Sequence, residues 1–232
     1  MMVAIEDLNV HVDRRLAEAG FAGGVTTRAM GDMAQADNRA RALERAGLAS
    51  WPGCVLRQKH GSVVRALDAE TEQSPEGDGW LLDAAGRVAL VYVADCMPIF
   101  IWDRGGRAAA LLHSGWRGTR ANIAAAAVEA LALRGVKPAE LRAWVGPHAG
   151  ACCYAVGSDF KALFRPESLE PRGGRLYLDL GKEAAAQLLE AGLSREAIAK
   201  SPACTVCGSE FFSFRRDKAT RRMMAFLAKR HA

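Results

Sequence analysis

Four residues of reactive type stand where apolar runs stop. His60 follows Leu56-Arg-Gln-Lys, Asp95 and Cys96 interrupt a strand-like run, and His113 ends another. Side chains at strand ends and in the turns beyond them can converge in a cleft. Imidazole and thiolate are donors that zinc prefers, and a His, Cys, His set with a fourth position left open is a catalytic arrangement. The intervals of 36 and 17 residues between His60, Cys96 and His113 match no short-range ligand motif, so spacing leaves bland readings open: a small buried hydrophobe for the cysteine, hydrogen-bonded core residues for the histidines. Cys96 and His113 also permit a second chemistry, a thiolate nucleophile with an imidazole base. Asp95 can orient a histidine or accept a proton, or it can be a turn carboxylate bonded to nearby backbone.

Other candidates carry weaker signals. Cys204-Thr-Val-Cys207 is a CxxC, and with Cys152-Cys153 it makes four thiols, but the adjacent pair lacks the gap of a zinc knuckle. These four read as structural thiols. Arg117, bracketed by Gly115 and Gly118, and the Arg215-Arg216 pair are the anion-binding candidates, because guanidinium forks match phosphate oxygens. A solvated surface arginine is the alternative, more so for Arg216 than for Arg117. Trp116 can stack on a flat base or fill the core.

These residues must be held by regular elements. Ala36 to Ala46 predicts a helix stopped by Gly47. Val88 to Trp102 predicts two buried strands split by Asp95, Cys96 and Pro98, and Ala108 to Leu112 a third that ends at His113. Ser114 to Gly118 reads as a turn, followed by one alanine-rich helix from Thr119 to Arg134 with Gly135 as its stop. Ala143 to Val145 reads as a strand, Leu180 to Ala191 as a helix closed by Gly192, and Phe211, Phe212 and Phe214 as a buried strand; Met223 to Lys229 fits either type. There is no repeat and no linker-like segment, so residues 1–232 read as one α+β domain.

Composition bounds the function. Half the residues are hydrophobic and one quarter charged, which excludes a disordered or fibrous chain. The longest apolar runs, Val88 to Val93 and Met97 to Trp102, fall far short of the roughly 20 residues a bilayer crossing needs. Met1 to Asp13 has no basic start followed by an apolar stretch, so a cytoplasmic location is expected, with the six cysteines reduced. The net charge of +5 is local: residues 212–232 hold seven Lys and Arg against Asp217, 7 − 1 = +6, leaving −1 for the rest. That argues for a local anion site or a solvated tail, and against a nucleic-acid-binding surface.

The strings GGVTTR (23–28), DNR (37–39), QKHG (58–61), ADCMP (94–98), HSGWRG (113–118), GPHAGACCYAVG (146–157), YLDL (177–180), CT (204–205) and FFSFRR (211–216) together resemble the YfiH or laccase-domain family, also called multicopper polyphenol oxidoreductase and peptidoglycan editing factor. The resemblance spans about Gly23 to Met224. It implies a metal, zinc or alternatively copper, held by His60, Cys96 and His113. It also implies two mixed β-sheets packed as a sandwich with helices outside, related in outline to cysteine-hydrolase-like bacterial toxins. Members of the family are described as phosphorolysing adenosine, inosine and methylthioadenosine and deaminating adenosine. The alternatives it carries are phenol oxidation with copper and editing of peptidoglycan precursors. The expected partners are therefore a purine nucleoside and phosphate, with Cys96, His113 and Asp95 as catalytic candidates and Arg117 and Arg215 beside the phosphate. True multicopper chemistry is disfavoured by a chain with five histidines. Three positions depart from the family pattern: Ala155 replaces a glutamate, Arg221 the glycine of T-G-R, and Lys59 an apolar residue. The first admits a further alternative, a degenerate member that only binds.

Overall fold

The computed structural model describes residues 10–71 and 74–231. Residues 1–9, on which much of the leader reading rests, lie outside them. Two mixed sheets dominate. The five-stranded sheet runs in the order Val10–His11, Phe21–Thr26, Met223–Lys229, Val88–Val93, Gly53–Val55; the six-stranded sheet runs Ile198–Lys200, Leu141–Val145, Met97–Asp103, Ala109–Ser114, Gly79–Leu82, Val64–Ala66. Both are antiparallel in the middle, and parallel pairs occur at their edges.

Side-chain alternation shows how the layers stack. In Met97–Asp103, Phe100 and Trp102 pack with Trp80, Leu111, Val91 and Phe21 between the sheets, whereas Ile99 and Ile101 pack with Ile123, Ala127, Leu131 and Leu188 of the helices Ile123–Ala132 and Leu180–Glu190. In Val88–Val93, Ala89 and Val91 face the other sheet while Val88 and Leu90 face outward toward Ala42 and Leu43 of the helix Ala36–Arg45. The result is the expected α+β sandwich with helices outside. Because both faces of both central strands are covered, these strands read as continuous apolar runs instead of alternating ones.

The predicted break at Asp95 has a larger meaning than a kink. Val93 ends a strand of the five-stranded sheet and Met97 begins one in the six-stranded sheet, so Ala94 to Cys96 is where the chain crosses between layers.

Four expectations are corrected. Ser114 to Gly118 is not a turn: Gly115 already caps a short helix, Trp116–Arg120. The helix expected to run on to Arg134 is broken at Asn122, whose left-handed backbone (φ 55°) restarts it as Ile123–Ala132 and whose side chain accepts from the Ala125 N–H. Phe211, Phe212 and Phe214 form no strand: Ser213 caps a one-turn helix, Phe214–Asp217, and Phe214 is half exposed. Nor is the basic end a solvated tail. Met223–Lys229 lies inside the five-stranded sheet between two antiparallel neighbours, with Met223 to Ala228 buried.

Candidate metal centre

Two loops at strand ends and one strand bring the donor residues together. The loop bearing His60 is tied down by Asp78, whose carboxylate is buried just ahead of the strand Gly79–Leu82. Asp78 accepts from the backbone N–H groups of Lys59 (3.1 Å), His60 (2.9 Å) and Gly61 (2.8 Å), gathering three consecutive amides on one anion. His60 adopts φ 60°, a conformation rarely taken by residues other than glycine and one that such a collar can impose. Gln58 fixes the loop from the other side, because its side-chain amide both donates to and accepts from the backbone of Tyr92 (2.9 and 2.8 Å), as a further strand would.

Cys96 comes from the crossover and His113 from the strand Ala109–Ser114. The ligand atoms of His60, Cys96 and His113 lie within 4.8 Å of one another. The Nδ1 of His113 is 2.9 Å from Asp78 Oδ1, so its Nε2 is the nitrogen left for a ligand role. The donor set and the carboxylate behind the histidine suit a transition-metal ion. Gly115 lets this cluster close: a Cβ there would sit 2.9 Å from Cys96 Sγ and 3.2 Å from the His60 ring.

The electrostatics are those of a charge-paired triad. Burial would push His113 down, but its hydrogen bonds to Asp78 and Cys96 and their negative charge bring it up to about 9. Burial would likewise raise the Cys96 thiol, and hydrogen bonds to His113 and His60 bring it down to about 6. Asp78 is lowered: the donors around it outweigh its desolvation. Between these values the metal-free pair is thiolate and imidazolium.

The cluster opens on a cavity of about 440 Å³ whose walls include Leu56, Gln58, Tyr92, Phe214 and Arg222. Asp95, which precedes Cys96, is not among the wall residues. It also has a left-handed backbone (φ 78°), and its two carboxylate oxygens accept from the Thr205 hydroxyl and the Arg215 N–H, both at 2.7 Å. Arg117 is exposed, folded 4.3 Å over the ring of Trp116, and is not among the wall residues. Arg215 donates to the Ala155 carbonyl (2.9 Å) and lies over Tyr154. Ala155 itself lines a separate open groove with Lys161 and Arg175. Lys59 pairs with Glu76. Sequence reasoning missed Asp78, Gln58, Tyr92 and Arg222. The Gly-Asp-Gly-Trp string around Asp78 was the one local hint, since it places a carboxylate where a turn enters an apolar strand.

A second group gathers elsewhere. Cys152, Cys153, Cys204 and Cys207 also have their sulfurs within 4.8 Å of one another.

Residues 19–230 match the family model described as multi-copper polyphenol oxidoreductase laccase. A purine nucleoside phosphorylase of Xylella fastidiosa (strain 9a5c) is 34% identical over 198 residues, covering 80% of this chain and 75% of its own. One of Aquifex aeolicus is 36% identical over 167 residues, covering 72% and 78%. The crystal structure of the Bacillus licheniformis hypothetical protein YfiH superposes with a TM-score of 0.87 over 97% of this chain and 98% of that one, at 23% identity, a likeness of fold.

Proposed function

The chain belongs to the multi-copper polyphenol oxidoreductase laccase family, and from that premise we propose that it is a zinc-dependent enzyme that phosphorolyses purine nucleosides. The observation that carries the reading is the His60, Cys96, His113 cluster opening on a cavity that is apolar along Leu56, Tyr92 and Phe214 and cationic at Arg222. A volume of about 440 Å³ suits a small molecule. Its apolar wall suits a purine, and the guanidinium suits the attacking phosphate. The relatives named purine nucleoside phosphorylase support the substrate class.

His60, Cys96 and His113 would hold the ion, which when bound supplies a Lewis acid beside the pocket. Asp78 holds His113 in the tautomer that leaves Nε2 free, and it anchors the His60 loop. Asp95, with both oxygens committed, acts as a positioning residue for Cys96. Arg222 takes over the anion-binding role expected of Arg117. Zinc is favoured over copper. Two imidazoles and one thiolate also suit a blue-copper site, but such a site commonly adds a methionine, and none is among the wall residues. A multicopper assembly needs further histidine clusters; among the described residues His148 is bound through Nδ1 to the Gly146 carbonyl and His11 to Glu210.

Deamination of adenosine ranks second, because no carboxylate is among the wall residues to shuttle the proton. Chromatography of products from adenosine, with and without phosphate, tests the choice. Adenine formed only with phosphate, and lost in Cys96→Ala, is the expected result. Inosine would establish deamination. Neither product would overturn the nucleoside reading and favour amide hydrolysis of a cell-wall precursor, by the Cys96 thiolate or at the metal site, or a binding role.

A further inference from the structure

The adjacent pair Cys152-Cys153 and the CxxC at Cys204 and Cys207 come from distant parts of the chain and converge. The Sγ atoms of Cys152 and Cys207 are 3.8 Å apart. A tetrahedral zinc with Zn–S bonds of about 2.3 Å has sulfur–sulfur edges of about 3.8 Å. A disulfide needs about 2.05 Å, and all four are free thiols. An iron–sulfur cluster would spread its cysteines beyond the separation seen here.

The backbone around the sulfurs is built for a thiolate centre. Cys204 Sγ accepts from the Gly150 N–H at 3.3 Å and is also faced by the N–H groups of Val206 and Cys207, the knuckle arrangement in which a CxxC turns its amides onto its first sulfur. Gly208 closes the turn by donating to the Cys204 carbonyl (2.8 Å), and a Cβ at that position would collide with the same oxygen at 2.7 Å. On the other side, the Cys153 and Tyr154 N–H groups both donate to the Gly150 carbonyl (2.9 Å), a tight turn that lets neighbouring cysteines point into one centre. A Cβ at Gly150 would lie 3.4 Å from Cys152 Sγ and 3.6 Å from Cys204 Sγ, so the turn passes directly under the sulfurs. Cations flank it: Arg172 donates to the carbonyls of Ala151 and Cys152 (3.2 and 3.1 Å), and Arg216 to those of Thr205, Val206 and Gly208.

We propose that Cys152, Cys153, Cys204 and Cys207 bind a structural zinc ion, distinct from the metal at His60, Cys96 and His113. Binding forms four Zn–S bonds and releases the four thiol protons to solvent. The centre then carries 2 − 4 = −2, offset in part by Arg172, whereas the charge of Arg216 is shared with Asp217. The ion would fasten the Cys204–Gly208 knuckle to the Gly150–Tyr154 turn. Its consequence reaches the first cluster, because Thr205 sits between the knuckle cysteines and holds Asp95, the residue preceding Cys96.

The test is the zinc content of the purified protein, kept reduced, measured by mass spectrometry after brief exposure to a chelator, together with the visible spectrum after cobalt replacement. Wild type should hold about two zinc per chain, one for each cluster. Cys152→Ser and Cys207→Ser, both at exposed positions and so tolerable to the fold, should each lose one equivalent while keeping the one at Cys96. Cys96→Ala should lose the other, and its cobalt form should show the spectrum of a tetrathiolate. Zinc content unchanged in the serine variants would overturn the proposal. So would iron at the site, or an intact mass showing a disulfide in place of metal. Because the readout is metal and not turnover, it stands apart from the substrate assigned to the first cluster.

Discussion

Asp78→Asn separates two roles that the carboxylate plays at once. It orients His113 and the His60 loop, and it holds the His113 proton, at about 9. Losing the first role should weaken metal binding by about 10- to 100-fold, the usual cost of removing a carboxylate behind a metal-bound histidine. Losing the second role works in the opposite direction. With His113 at about 9, roughly one molecule in a hundred has the neutral imidazole at pH 7, so protons compete with zinc by roughly 100-fold there, whereas above pH 9 the competition disappears. Cys96, at about 6, is already thiolate at pH 7 and adds no penalty. If the amide lowers His113 by one unit, the competition at pH 7 eases about tenfold. The variant's deficit in zinc affinity should therefore be full, about 10- to 100-fold, near pH 9.5 and shrink by about tenfold at pH 7. Competitive titration against a chromophoric chelator at the two pH values reads this directly. A deficit that is equal at both, or larger at pH 7, would refute the claim that Asp78 holds the His113 proton. No deficit at pH 9.5 would refute its orienting role. The carboxylate also serves three backbone N–H groups, so a loss of about 1–3 kcal/mol in stability is expected, readable as a lower thermal midpoint.

Three further outcomes follow from the same geometry. Gly115→Ala places a methyl 2.9 Å from Cys96 Sγ and should remove most bound zinc from the His60, Cys96, His113 cluster without unfolding the protein, checked by metal content and circular dichroism. In metal-free protein, the two titrations should offset each other between about pH 6.5 and 9: His113, raised on folding, loses its contribution as pH rises through about 9, while Cys96, lowered on folding, gains its own over the same range, so stability should be nearly level there. Thermal melts in excess chelator that changed steeply with pH across that range would show that only one of the two groups is shifted and would refute the charged pair. Phe100→Ala, in the layer between the sheets, should cost about 3–5 kcal/mol in chemical denaturation and leave zinc stoichiometry intact.

The parts of this molecule legible in its sequence are those where a local pattern and a physical constraint coincide. The helix Ala36–Arg45 is bounded by a glycine with positive φ, and the helix Leu180–Glu190 likewise. The donors His60, Cys96 and His113 stand out because polar residues interrupt apolar runs there, and the structure brings them together. What escaped depends on partners remote in sequence. Ala94 to Cys96 reads as a break within one layer, yet it joins two, because sheet membership is set by pairing with residues such as Met223 and Ser114. Phe211 and Phe212 are as apolar as a strand, but their segment is held as a loop by Arg216, an anion-binding candidate or a solvated head by sequence, which instead binds the carbonyls of Thr205, Val206, Gly208 and Phe211.

The same arginine shows why the two cysteine-bearing clusters cannot be understood separately. Arg216 fixes the knuckle, the knuckle presents Thr205, and Thr205 together with the Arg215 amide fills both acceptor oxygens of Asp95, stabilising that residue at φ 78°. A left-handed aspartate costs free energy on its own, and here its cost is met by bonds from a segment more than a hundred residues away. Removing one of them, as in Thr205→Val, leaves Oδ1 unpartnered and the strained backbone free to relax, with Cys96 next in the chain. The variant should keep its fold and its four-cysteine zinc yet bind metal at the His60, Cys96, His113 cluster more weakly than wild type in chelator competition. Equal affinity would mean that Asp95 is held by the crossover itself and that the two clusters are neighbours without being coupled.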